Sequence, residues 1–344
     1  MKLKPFFHFD TDETRQSLLA RARNVALWAI QQYEIEWISI RFIQLSDTIT
    51  YKIETNTTGH YLLRIHSERM NKEEIISELV FLNELRKLGG LVMPEGIACR
   101  DGSYVLECET EEGYQRPCVS LMKWVEGEHR SGEFTDSHAF SIGALMGRLH
   151  EASAKIEIPP HFHRPHWGIG SFKDELSKLE RYYSRFLSNK SWLLYQKAIE
   201  KIMTQLELMQ QNTRNYGLIH ADLHSENVVF NNDQPYPIDF GRCGFGYYLY
   251  DMAAALLELY PKHRWQLIQG YESVIKLEED YVHILECFFV MFMIENYCHH
   301  CSDSREIPGL IEEQKYALAY LTEYINDRSF LFQVIEPIEP EPLV

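Results

Sequence analysis

His220, Asp222 and Asn227 stand in the run IHADLHSENV, and Asp239 follows in PIDFGR. The order H-x-D-x-x-x-x-N sets a carboxylate where it can accept or orient a hydroxyl proton, and an amide where it can bind Mg²⁺. After VVF the polar turn Asn231-Asn232-Asp233 predicts a short hairpin that returns Asp239 beside Asn227. Mg²⁺ takes hard oxygen ligands and keeps several waters, so one carboxylate, one amide and phosphate oxygens make a complete set. A carboxylate that holds metal makes a poor base, so two are needed. Asp239 is expected to hold the ion and Asp222 to face an acceptor hydroxyl. The chemistry this suits is phosphoryl transfer, in which the protein positions groups and neutralises developing charge.

A nucleotide needs its own grip. Arg64, in the strand-like YLLRIH, and Glu78, in the helix that follows, form the strand-cation and helix-carboxylate pair that holds α- and β-phosphates in kinases. The turn between the first two strands, running from Leu45 to Thr50, is expected to cover the phosphates of ATP. It has no Gly, so the hydroxyls of Ser46, Thr48 and Thr50 and backbone N–H groups must take that part. The run LMKWV, with Met122 and Trp124, ends a strand where backbone groups can meet an adenine edge.

The elements that must position these residues fall into two kinds. An amphipathic helix is predicted over 12–32, strands over 37–45, 48–55 and 60–66, a helix over 73–90, and strands over 104–109 and 117–125. From residue 136 the periodicity is helical, broken by strand-like LIHADL and YPIDF around the motif. The predicted organisation is α+β: a strand-rich nucleotide-binding lobe over 1–125, a helical catalytic and acceptor-binding lobe over 126–330, and a loose tail over 331–344.

Composition narrows the partners. A formal net charge of -16 and a pI near 5.4 exclude the basic stripes that nucleic-acid binding requires. Seven scattered Cys show no disulfide-scaffold spacing, and the N-terminus meets Asp12 and Glu13 before any apolar stretch resembling a signal peptide. The apolar run from Ile284 to Ile294 contains Glu286 and is about half the length of a bilayer span. A cytoplasmic location and no membrane partner are expected.

The stretches LIHADLHSENVVF, PIDFGRCGFGYYLYDMA, YLLRIH, SEL and SLMKWVEG together resemble the aminoglycoside phosphotransferase family, which includes choline-kinase-like and homoserine-kinase-like enzymes. The resemblance covers roughly residues 40–300. It implies the two-lobed protein-kinase-like fold, ATP and Mg²⁺ as cofactors, Asp222 as catalytic residue, Asn227 and Asp239 as metal ligands, and Arg64 with Glu78 as the phosphate pair. It also implies that Asp251 anchors the catalytic loop. The Gly-free turn, and the lack of A-P-E after IDFG, favour the small-molecule branch over protein kinases. The acceptor is a small hydroxyl compound, and Trp124, Glu126, Glu128, Tyr247, Tyr248, Glu258 and Glu295 make an amine-bearing alcohol one option. A protein Ser/Thr kinase and a regulatory pseudokinase are the alternatives. His220 is read as a loop anchor, the glycines after Asp239 as making a tight loop, HFHRPHW (161–167) as a surface loop, and Cys298-His299-His300-Cys301 as a helix end instead of a zinc site.

Overall fold

The computed structural model describes residues 3–9, 11–129 and 134–343. The chain divides into two units, Met1–Glu126 with Ile156–Arg164, and Gly127–Lys155 with Pro165–Val344.

The first unit contains α1 (Asp12–Ile30), β1 (Trp37–Leu45), β2 (Thr48–Thr55), β3 (His60–His66), α2 (Lys72–Leu88), β4 (Glu95–Gly96), β5 (Val105–Glu107) and β6 (Cys118–Lys123). Its antiparallel sheet runs β1-β2-β3-β6-β4, and β5 also pairs with β6. The sequence reading expects five strands there. The sixth, β4, is two residues long and too short to show alternation. Ile49, Tyr51 and Ile53 of β2, Leu63 and Ile65 of β3, and Val119 and Leu121 of β6 form one core with Leu18, Ala22, Val25 and Ala29 of α1. Asn71 and Glu74 form a reciprocal capping box at the start of α2, satisfying N–H groups the helix cannot. At its end Gly89 takes φ +75°, a conformation in which a Cβ would be strained.

The second unit contains α3 (Asp136–Ser153), α4 (Ile169–Tyr182), α5 (Asn189–Leu208), β7 (Tyr216–Ile219), β8 (Val228–Asn231), β9 (Gln234–Pro237), β10 (Gly244–Tyr247), α6 (Tyr248–Leu256), α7 (Pro261–Glu272), α8 (Tyr281–His300) and α9 (Ile307–Ile325). β8 and β9 form the expected hairpin, with Asn232 and Asp233 both at positive φ in its turn. β7 pairs instead with β10. Two of the glycines after Asp239, Gly244 and Gly246, therefore serve packing instead of loop freedom. Gly244 and Gly246 lie in extended β10, and a Cβ on either would fall 2.4 Å from Pro165 O or Ile219 Cδ1. The same device joins α3 to α7, where a Cβ on Gly143 would sit 1.8 Å from Leu267 O and one on Gly270 1.9 Å from Phe140 O.

α8 extends beyond the apolar run seen in the sequence and is long and apolar enough to cross a membrane, yet 67% of its most apolar stretch is buried in this unit. It packs on α4, α5, α6 and α9, and encloses Glu286 and Glu295. Glu286 Oε1 accepts from Ser329 Oγ at 2.7 Å, Phe330 N at 2.7 Å and Leu331 N at 2.9 Å. The tail is thus attached where it begins, and Ile338 N also donates to Lys315 O.

Candidate active site

In the first unit Arg64 lies mid-strand on β3, between Thr50 of β2 and Ser120 of β6. Arg64 is 3% exposed, and its guanidinium bonds to the fully buried Glu78 of α2, with Met122 Sδ 3.7 Å away. An ion pair removed from water is held firmly only when both partners are fixed, and here a strand and a capped helix fix them. On the same face of β3, His66 Nε2 bonds Ser120 Oγ at 2.8 Å. Burial, and then the charges of Arg64 and Arg164, hold its imidazole well below its usual range, so it is neutral.

The turn between β1 and β2 is tighter than expected. Ser46 and Asp47 alone join β1 to β2, and Thr48 and Thr50 are buried members of β2. Ser46 N donates to Thr48 O at 2.9 Å, and Asp47 pairs with Arg69 at 2.5 Å. Met122 lies between Leu62 of β3 and Gly96 of β4. Trp124 N donates to His60 O at 3.0 Å, and Lys52 Nζ lies 4.6 Å over the indole. The Trp124 N–H is therefore committed to the sheet edge.

The second unit holds the loop residues. After β7, Ala221 turns through φ +64°, a costly conformation for a residue with a Cβ. Asp251, in the first turn of α6 and fully buried, holds that turn: Oδ2 accepts from His220 N at 3.1 Å and Oδ1 from Ala221 N at 2.7 Å. His150 Nε2 of α3 donates to the same carboxylate at 2.9 Å. Burial alone would raise the Asp251 carboxyl, but the bond and charge of His150, with the backbone donors, hold it below its usual range. His220 Nε2 donates to Ile238 O at 2.9 Å, tying the loop to the strand that leads to Asp239.

Asn227 Nδ2 donates to Asp222 O at 2.9 Å and to Asp222 Oδ2 at 3.2 Å. Its amide oxygen must then point the other way. Ile238 N bonds Asn227 O at 2.9 Å, so the chain brings Asp239 next to Asn227. Asp239 is exposed, at φ +56°, and its carboxylate accepts from Gly241 N at 3.3 Å. Burial lifts the Asp222 carboxyl above its usual range against the pull of Arg242, His224 and His220.

Sequence reasoning missed Arg242 and His150. Arg242 Nε donates to Ala221 O at 3.4 Å, and its guanidinium lies 4.4 Å over the Trp167 ring. Behind it Tyr250 donates to Glu295 at 2.7 Å, and burial first of all lifts the Glu295 carboxyl to about 7. Arg242 directly follows the motif and was visible there. His150 lies 101 residues from Asp251 and left no local signal.

Beside the loop a cavity of about 380 Å³ is lined by Phe134, Ser225, Glu226, Phe230, Glu258, Leu259, Tyr260 and His263. His224 stands between it and the motif, 3.9 Å from Glu258 and 4.0 Å from Asp222.

The model of the phosphotransferase enzyme family (APH) matches residues 40–275. The uncharacterized protein sll1119 of Synechocystis is 29% identical over 241 residues, which is 68% of this chain and 64% of that protein, so the chain spans just under two thirds of its length. Among solved structures, the microcompartment-associated aminopropanol kinase superposes with a TM-score of 0.77 at 23% identity, over 89% of this chain and 98% of that one. The amicoumacin kinase hAmiN, in complex with AMP-PNP, Ca²⁺ and Ami, gives 0.75 at 18%, over 95% and 98%. Both show the same fold.

Proposed function

We propose, from the premise that this chain belongs to the phosphotransferase enzyme family, that it transfers the γ-phosphoryl group of ATP to a hydroxyl of a small molecule. The observation that carries this reading is the Asn227 amide donating to the backbone carbonyl and to Oδ2 of Asp222, with Ile238 N on the Asn227 backbone carbonyl. One short loop thereby separates a carboxylate near an acceptor from an amide oxygen and a carboxylate suited to a cation.

Asn227 and Asp239 fit a divalent ion of the Mg²⁺ type: both offer hard oxygens, and Asp239 is exposed. When bound, such an ion neutralises charge on the phosphates. Asp222 accepts or orients the acceptor's hydroxyl proton, and its raised carboxyl makes it a better acceptor than an ordinary aspartate. Arg64, oriented by Glu78, would hold the phosphates, Ser46 in the turn and Thr48 beside it would cover them, and Met122 and Trp124 would meet the adenine. The amicoumacin kinase complex, with AMP-PNP and Ca²⁺, supports a nucleotide and a divalent ion here.

For the acceptor we infer an amine-bearing alcohol. A cavity of about 380 Å³ walled by Glu226, Glu258, Phe134 and Tyr260 suits a small cation better than a protein segment. The aminopropanol kinase likeness agrees. We also infer a reducing compartment, the cytoplasm, because the seven cysteines are odd in number and scattered without a disulfide-scaffold spacing.

The test is Mg²⁺-dependent ADP release across amino alcohols, sugars, aminoglycosides and a generic protein, with Asp222→Asn as control. Stimulation by one amino alcohol, lost in the variant, establishes the reading. Stimulation by the protein alone favours a protein kinase, and ATP binding without any stimulation favours a regulatory role.

A further inference from the structure

Of the motif HFHRPHW only Trp167, under Arg242, enters the site just described, and the rest is not a plain surface loop. Residues 156–164 lie between α3 and α4, two helices of the second unit, yet they belong to the first unit. Pro159 and Pro160 lie within this stretch, Pro165 follows it, and His161 takes φ +64°. Such a segment has little conformational freedom left to lose on docking.

It docks on α2. His163 N donates to Ser77 Oγ at 2.9 Å, and that hydroxyl, 2% exposed as a residue, donates on to Glu73 O at 2.8 Å. Arg164, 6% exposed, donates from Nη1 to Glu74 O at 3.0 Å. In an α-helix the carbonyl of residue 74 accepts from the N–H of residue 78. The two attachments therefore bracket the turn that presents Glu78, one through the residue before it and one through the carbonyl its own N–H uses. Glu78 is the partner that aims Arg64. Arg164 also lies close enough to His66, on the Arg64 face of β3, for its charge to be felt there.

We propose that residues 156–164 are a strap that sets the position of α2, with Arg164 a positioning residue acting through Glu78 on the phosphate grip of Arg64. This rests on the nucleotide-binding reading above. The strap, α2 and Arg64 all belong to the first unit, although in the sequence the strap lies between α3 and α4.

The experiment is calorimetric titration of the full chain with Mg²⁺·AMP-PNP. Arg164→Ala and Ser77→Ala are each expected to weaken binding about tenfold, and Arg164→Lys to recover most of the loss, since Lys still donates to a carbonyl. Added to Glu78→Gln, Arg164→Ala should weaken binding by less than about twofold, because residues acting through one group are non-additive. Full additivity would mean that Arg164 acts on the nucleotide directly and overturns the proposal. So would unchanged affinity in both single variants. Ser77→Ala removes one hydroxyl and keeps the test open if Arg164→Ala does not fold. A merely destabilised protein would melt earlier without nucleotide, its folded fraction binding as before, and that result also overturns the strap. Wild-type protein that binds no nucleotide would overturn the proposed function itself.

Discussion

Arg64 and Glu78 sit on a regular strand and a regular helix and bond to each other, whereas Asp222, Asn227 and Asp239 sit on irregular backbone held by groups from elsewhere. In the first region secondary structure supplies position and the side chains supply the bond. In the second, Asp251 supplies the position by accepting two backbone N–H groups around a left-handed alanine. A pair built in the first way fails when either partner is lost. A loop built in the second way can fail through a residue that touches no substrate.

That contrast can be broken in order of effect. Asp222→Asn should lower turnover by roughly 10²–10⁴-fold, the range for general acid–base groups, while nucleotide affinity stays within about threefold. Steady-state rates and calorimetry on one preparation check this, and an equal loss in both would mean the loop also shapes the nucleotide grip. Asp251→Ala should cost about 3–5 kcal/mol of stability, because it strands His150 and two buried N–H groups. Urea denaturation reads it, and a loss under about 1 kcal/mol would show that the turn holds itself.

Glu295 sharpens the comparison through pH. Its folded carboxyl titrates near 7 instead of 4.5, so the stability carried by its proton is complete below pH 4.5 and lost as pH rises through 7. The loss is about 3 kcal/mol. Glu295→Gln should flatten stability across that window relative to wild type and be the more stable protein at pH 8. The smallest effect belongs to Glu78→Gln, expected to weaken Mg²⁺·AMP-PNP binding about tenfold and leave the catalytic loop intact. A lower kcat at saturating nucleotide would show the two regions to be less separable than their construction suggests.

The strand-rich first part, the helical second part and the hairpin after the motif were all legible: the periodicity changes near residue 126, and the Asn232-Asp233 turn announced the hairpin that brings Asp239 beside Asn227. Arg64 and Glu78 followed from strand and helix periodicity. What stayed hidden depends on contacts that leave no local pattern. β4 has two residues, the β7–β10 pairing joins segments separated by the whole motif, and Gly244 and Gly246 read as loop formers although they are there for close packing. The docking of 156–164 on α2 was likewise invisible, since each of its bonds pairs one side chain with a backbone group about 90 residues away and leaves no local pattern. α8 lies where the sequence already reads as helical, but its apolar character extends beyond the run from Ile284 to Ile294 that the sequence reading picked out.

The Asp251 carboxylate has a consequence for the order in which the molecule assembles. It joins residues separated along the chain by 101, 31 and 30 positions. Contacts of such span close late, after the local helices they connect. During refolding, helical signal should return before the catalytic loop acquires its shape, and competence should follow the meeting of α3 with α6. Newly made protein would thus pass through a stage with its helices formed and its chemistry absent, a built-in delay between being folded in outline and being active.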